Sequence, residues 1–166
     1  DKDELVLALL DRLLAQVDAT ADSSGDWRAR LRSYALVTVQ VMCDHPCIGV
    51  EAGTRSTSGP AELRAIEHVL TAFTEAGLDD DAAVRFYGVY TGYVLAFASA
   101  LAAGRLNDPG TGGPDDHWVE PLGRVDPATH PHVARQAESL MRLTTDDVIT
   151  TGIDVVLDAA EAAARP

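Results

Sequence analysis

Residues 82–104, AAVRFYGVYTGYVLAFASALAAG, constrain the fold more than any other stretch. Arg85 is their only charge, and small residues recur every fourth position: Gly88, Gly92, Ala96, Ala100 and Gly104. Residues four apart share a helix face. The stretch therefore predicts a long helix with one nearly smooth stripe, along which another backbone can come close. Its other faces carry Phe86, Tyr87, Tyr90, Tyr93, Val94 and Phe97, so it is apolar almost all round, as a buried helix is. Two glycines in a helix interior cost about 0.8–1 kcal/mol each relative to alanine, which implies a packing reason. The stripe fits the central helix of a monomeric bundle and the contact helix of a dimer equally well. The length would also allow a membrane span. Three tyrosines, Arg85, Ser99 and the lack of basic flanks argue against one.

A chain of 166 residues suits one domain with a sizeable core. Its net charge of −13 repels phosphate backbones, so these residues are not expected to bind nucleic acid by themselves. The first residues, Asp1-Lys2-Asp3-Glu4, are charged where a secretory signal would be apolar. They read as the first turn of a helix without an initiating Met, which suggests a piece of a longer protein. Cys43 and Cys47 make no disulfide framework, pointing to a reducing cytoplasm.

Elsewhere the pattern is helical throughout. Leu5, Val6, Leu9, Leu10, Leu13 and Val17 make one face of a first helix over residues 3–17. Asp26 is an N-cap for a second, from Trp27 to Asp44, with Trp27, Leu31, Tyr34, Thr38, Val41 and Met42 on one face. Residues 37–41 alternate like a strand, but they sit inside that helical frame, and His45-Pro46 ends it. Residues 48–59 read as a short helical turn and a polar loop. Pro60 opens a third long helix, with Leu63, Ile66, Leu70 and Phe73 on one face and Gly77 as its stop. Asp79–Asp81 cap the long apolar helix. Residues 104–131, rich in proline and glycine, read as a long irregular loop anchored by Trp118 and Leu122. A short helix over 132–143 follows. Thr145 is expected to cap a last helix over 146–164, whose small-residue face includes Gly152, Val156, Ala159 and Ala163. The class is all-α, a bundle of six to seven helices.

Two clusters could hold a metal. Cys43-x-His45-x-Cys47 offers three soft ligands and no evident fourth. Asp115-Asp116-His117-x-x-Glu120 offers oxygen and nitrogen donors on the long loop. Paired Glu-x-x-His motifs, a nucleophile elbow, a phosphate loop and a dinucleotide glycine pattern are all missing from the sequence. No cofactor is expected. A helical metal- or cofactor-dependent enzyme is the alternative to a binding domain. Tyr34, Thr38, Met42, Phe73, Tyr87, Tyr90 and Tyr93 put rings and hydroxyls on helices that should face one another. They could wall a small-molecule cavity. They could equally be a packed core with its hydroxyls satisfied at the edge, the commoner outcome for such stripes.

The order of these signals resembles the C-terminal domain of the tetracycline-repressor (TetR) family of bacterial transcription regulators, over nearly the whole chain. Lys2-Asp3-Glu4-Leu5 is similar to the start of the helix that follows the family's DNA-reading helix. Asp26-Trp27-Arg28 and the helix ending at His45-Pro46 resemble its first core helix. Glu75-Ala76-Gly77-Leu78-Asp79 resembles the turn into its dimerisation helix, and residues 152–158 resemble its last helix. The resemblance implies an inducer-binding domain that forms homodimers. Two copies would pair through a four-helix interface, with Gly88, Gly92, Ala96 and Ala100 on one helix and Gly152, Val156, Ala159 and Ala163 on the other. Residues 1–18 would link to a helix-turn-helix domain that alone reads operator DNA and is not among these residues.

Residues 50–55 look like a stretch of the tetracycline repressors themselves. Glu51 stands where a histidine there helps hold the drug's magnesium. Val69 replaces a glutamine that touches the drug, and Tyr34 and Thr38 match an asparagine and a phenylalanine of the drug site. These departures point away from tetracycline and its metal. They leave the general role open, and the sparse charge among the candidate wall residues, Val69 included, suggests an apolar or aromatic inducer with a few hydroxyl or carbonyl groups.

Overall fold

The structure is a computed structural model and describes residues 1–107 and 125–164. Among the described residues there are seven helices and no strand: α1 (Lys2–Thr20), α2 (Trp27–Asp44), α3 (Pro46–Gly49), α4 (Pro60–Glu75), α5 (Asp80–Asn107), α6 (Pro131–Arg142) and α7 (Thr145–Ala164).

Local chemistry sets most of the ends. A capping box closes the start of α1: the Asp1 side chain accepts from Glu4 N–H, and the Glu4 carboxylate accepts from the N-terminal amine of Asp1. Asp26 accepts from Ala29 N–H at 2.8 Å and starts α2. Gly77, at φ +97°, turns the chain out of α4, and Leu78 N–H bonds back to Phe73 C=O. Asp79 accepts from Ala82 N–H at 2.8 Å at the head of α5. The cap of α7 is Thr144, not Thr145. The Thr144 hydroxyl accepts from Asp147 N–H, Asp147 answers Thr144 N–H, and Thr145 is already helical and buried. The alternating run at 37–41 is helical, with the Thr38 hydroxyl donating to Tyr34 C=O at 2.7 Å.

α5 packs against α2, α3, α4 and α7, and α1 lies across α2, α3 and α4. One core lies between α2, α4, α5 and α7, with Leu31, Phe73, Ile153 and Leu157 fully buried. A second lies under α1, where Leu10, Leu13 and Val17 meet Tyr34, Val41 and Met42. Each fully buried side chain of this size contributes about 1.5–3 kcal/mol. α5 is long and apolar enough to cross a bilayer by length and composition. It packs against four other helices, yet only 22% of that apolar stretch is buried within this chain. α6 buries none of its residues.

The long apolar helix extends beyond the expected 82–104 at both ends. Trp118, Leu122 and the Asp115–Glu120 cluster lie outside the described residues.

Candidate functional site

The two cores do not meet completely. Between them lies a cavity that opens to solvent, about 620 Å³ with the open solvent counted and about 70 Å³ for the centre of a water-sized sphere. Leu10 and Leu14 of α1 form one side, and Tyr34, Thr38 and Met42 of α2 another. Ala65, Ile66 and Val69 of α4 face Tyr87, Tyr90, Val94 and Leu95 of α5. At the mouth stand Arg55, Thr57, Glu62 and Thr91. Apolar walls with a few polar groups are the make-up of small-molecule sites.

Each candidate wall residue has a definite place. The Tyr34 ring stacks on His68, centroids 4.7 Å apart, and its hydroxyl donates to Asp18 Oδ1 at 2.7 Å. Burial, then the Asp18 hydrogen bond, pushes its ionisation far above the usual tyrosine range. Tyr90 is almost wholly buried; its hydroxyl donates to Leu31 C=O at 2.7 Å, and burial raises its pKa as well. Both rings are neutral at any ordinary pH. Burial, and then the Glu62 charge, raises Tyr87 too. Tyr34, Thr38, Met42, Val69, Tyr87 and Tyr90 therefore share one cavity.

Phe73 does not line it. It is fully buried behind the wall, edge-on to Tyr90 at 6.1 Å and against Trp27 and Phe86. Helical spacing puts Phe73 on the inward face, but the ring of Tyr90 fills the space between it and the cavity. Tyr93 turns the other way, and its hydroxyl donates to Val148 C=O of α7 at 2.9 Å.

The charges at the mouth are satisfied within the protein. Glu62 accepts from Ser56 Oγ at 2.9 Å, Thr57 Oγ1 at 2.9 Å and Ser58 N–H at 2.6 Å. Arg55 donates to Glu51 at 2.8 Å and to Asp3 at 3.1 Å. Asp11 of α1 accepts from Thr57 Oγ1 at 3.0 Å, Ala61 N–H at 3.4 Å and Glu62 N–H at 3.1 Å. It thereby caps α4, whose own N-cap residue, Gly59, has no side chain. Nothing in the sequence around Asp18 marks its bond to Tyr34, and a single signal marks Asp11. The one signal for Asp11 was Gly59-Pro60, a helix start with no side-chain cap of its own.

The small-residue stripe of α5 is open. Gly88, Gly92, Ala96 and Ala100 are exposed, and a Cβ added at Gly88 or Gly92 would meet nothing. Val84 and Val89 beside them are 58% and 56% exposed, more than half of each side chain left uncovered by this chain. On α7, Ala159 and Ala163 are exposed, together with Val155. Gly152 and Val156, read from sequence as interface residues, face inward. A Cβ at Gly152 would overlap the Tyr93 ring, and Val156 belongs to the core. The small residue at 152 makes room for a ring of its own chain.

Among the described residues no three His, Cys, Asp or Glu side chains are gathered as a metal site. Cys43, His45 and Cys47 are split by the break between α2 and α3: Cys43 is buried, where desolvation raises its thiol pKa, and Cys47 is exposed.

The family model described as "Tetracyclin repressor-like, C-terminal domain" matches residues 19–163. A curated relative, the HTH-type transcriptional repressor DrrR1 of Streptomyces coeruleorubidus, is 33% identical over 98 residues. That match covers 58% of this chain and 36% of the relative's length. The transcriptional regulator SCO7222, a TetR protein of Streptomyces coelicolor, superposes with a TM-score of 0.78 at 21% identity, over 99% of this chain and 79% of that one. ActR of Streptomyces coelicolor, solved in complex with actinorhodin, superposes with a TM-score of 0.77 at 20% identity, over 100% and 78%. With the family model spanning most of its length, the chain belongs to the family of tetracycline-repressor-like C-terminal domains.

Proposed function

We propose that this chain is the inducer-binding and dimerisation domain of a TetR-type transcriptional regulator. The observation that carries the proposal is the cavity, apolar and aromatic within, its mouth charges already hydrogen-bonded inside the protein, Arg55 to Glu51 and Asp3 and Glu62 to Ser56, Thr57 and Ser58. A ligand that left those bonds intact would need no charge of its own. It would be apolar or aromatic, with a few hydroxyl or carbonyl groups to meet Thr38, Tyr87 and Thr91. ActR, which shares the fold, is known in complex with actinorhodin, in keeping with a small-molecule role here.

The second half of the proposal is a homodimer. Two copies would pair through the open stripes of α5 (Gly88, Gly92, Ala96, Ala100) and α7 (Val155, Ala159, Ala163), removing exposed valines from water. DNA would be read by a helix-turn-helix segment outside these acidic residues, and the protein would work in the cytoplasm. Ligand and DNA would then be linked through states that differ in affinity for both.

The test of the cavity is a fluorescence titration with phenylnaphthylamine, a neutral aromatic probe, against the protein and Ala65→Trp. Ala65 is a half-buried wall residue, so an indole there fills the cavity without replacing a core side chain. Saturable binding weakened at least roughly tenfold in Ala65→Trp is the expected result, a loss of about 1.4 kcal/mol. Equal affinity in both proteins would place the probe elsewhere and remove the basis for the proposal.

A further inference from the structure

α1 carries Asp3, Asp11 and Asp18, eight and seven residues apart. At about 100° per residue the three fall within an arc of roughly 80° on one side of the helix. Each accepts a hydrogen bond from a residue of the cavity. Asp3 is held by Arg55 at 3.1 Å, Asp11 by Thr57 at 3.0 Å, and Asp18 by Tyr34 at 2.7 Å. α1 is thus fastened to the cavity at three points along its length.

The three ties are not equivalent. Arg55 is exposed and shared with Glu51, and the Thr57 hydroxyl is within reach of both Asp11 and Glu62. Both mouth ties have a second partner close by. The Tyr34 hydroxyl bonds to Asp18 alone, inside the fold. Its ring is cavity wall on one side and lies against His68 on the other. A molecule pressing on that ring cannot move it toward His68. The ring must turn at its own side-chain torsions, and that swings the hydroxyl off Asp18. Asp18 then keeps only Arg64, at 3.2 Å.

We infer that Tyr34 is the residue through which occupancy of the cavity reaches α1: its ring senses the ligand, and its hydroxyl holds or releases the C-terminal half of the helix through Asp18. The ties at Asp3 and Asp11 keep the N-terminal half in place meanwhile. The inference rests on the cavity being a ligand site.

The experiment is hydrogen–deuterium exchange of α1 amides, with and without saturating phenylnaphthylamine, in the unaltered chain, Asp18→Ala and Arg64→Ala. Asp18 and Arg64 do not line the cavity, so the probe site is kept in all three; the titration should show Asp18→Ala about tenfold tighter, because the probe no longer has to break the Tyr34 bond, and Arg64→Ala unchanged. In the unaltered chain the probe should speed exchange over residues 13–20 roughly tenfold, the scale of one lost hydrogen bond to a charged group. In Asp18→Ala the same amides should exchange that fast without the probe, and adding it should change nothing. Arg64→Ala should keep the probe response, because the Tyr34 tie is intact. An unaltered chain whose α1 ignores the bound probe, or an Asp18→Ala that still responds to it, would overturn the inference. If the probe does not bind the cavity, the ligand-site proposal fails separately. Asp18→Ala alone then decides the tie: unchanged exchange at 13–20 would dismiss it.

Discussion

Asp11 and Gly59 should show opposite dependence on each other, because one carboxylate occupies the space a methyl group would need. The Asp11 side chain caps α4 from another helix, accepting from Thr57, Ala61 and Glu62. Loss of a helix N-cap costs about 0.5–2 kcal/mol, and loss of a negative charge at a helix N-terminus about 0.3–1 kcal/mol more. Asp11→Ala should therefore destabilise by about 2 kcal/mol, a fall in thermal midpoint of about 4–8 °C for a chain of this length. A Cβ at Gly59 would overlap that same carboxylate, although Gly59 has an ordinary extended backbone, φ −86°. Gly59→Ala should then expel Asp11 and destabilise by a similar amount, about 2 kcal/mol. In the Asp11→Ala background the obstruction is gone. The same change should fall within about 0.5 kcal/mol of neutral, since the entropy removed from the unfolded chain offsets alanine's poorer capping. The assay is chemical denaturation followed by far-ultraviolet circular dichroism at one fixed protein concentration, which holds any association constant. Additive effects, with Gly59→Ala equally harmful in both backgrounds, would refute the inter-helix cap.

Three further outcomes are expected. Gly92→Leu should leave the chain folded, since nothing lies within reach of a side chain there, yet convert a dimer to a monomer in analytical ultracentrifugation; an unchanged dimer would exclude this face. Gly152→Ala should destabilise by about 1–3 kcal/mol through overpacking on Tyr93, and a Tyr93→Ala background should remove most of that penalty; a neutral Gly152→Ala would show the ring is free to move. His68 has its pKa lowered by burial and then by the Arg30 charge. The folded state therefore binds this proton less readily than the unfolded chain does, so the contribution is fully present above the ordinary histidine pKa and is lost as pH falls below about 6.5. Replacing His68 with Phe should flatten that acid-side decline in a pH series of thermal midpoints, and an identical decline would assign it to other groups.

The helices were legible because their periodicity is strong. Trp27, Leu31, Tyr34, Thr38, Val41 and Met42 mark one face of α2, and all are buried but Trp27, which is half-buried at the helix start. Inward orientation, however, says nothing about whether the space beyond is filled. Phe73 and Val69 both point in from α4; one packs behind Tyr90, and the other reaches the cavity. That difference depends on the offset of α4 against α5, a distance between elements remote in sequence. Small residues carry the same ambiguity. Spacing on α5 and α7 announces close approach, but not by which partner. Gly92 is left open, while Gly152 receives Tyr93 of the same chain. A protein-wide charge of −13 likewise hid which carboxylates are merely solvated and which are bonded.

The helix start at Gly59-Pro60 shows how some of that information could be recovered. Proline at the first helical position removes one of the four free amides, and the next ones still need acceptors. Gly59 supplies no side chain, so an acceptor must come from outside the local sequence. Ser58 holds a positive φ of 51°, unusual for a residue with a Cβ, in the turn where Glu62 accepts its N–H. Glu62 is thus committed to the loop, and Thr57 turns its proton to the Asp11 and Glu62 carboxylates and accepts from Gly59 N–H, one residue short of the helix amides. Only a carboxylate on a neighbouring helix remains. α1 crosses α4 and carries Asp11 on the side that meets it. An uncapped helix start is therefore a long-range statement: it predicts a partner's acceptor, and here that partner is the helix the cavity is fastened to. The same bond that completes α4 fixes α1 over the mouth, so the local defect in one helix becomes the tertiary constraint on the other.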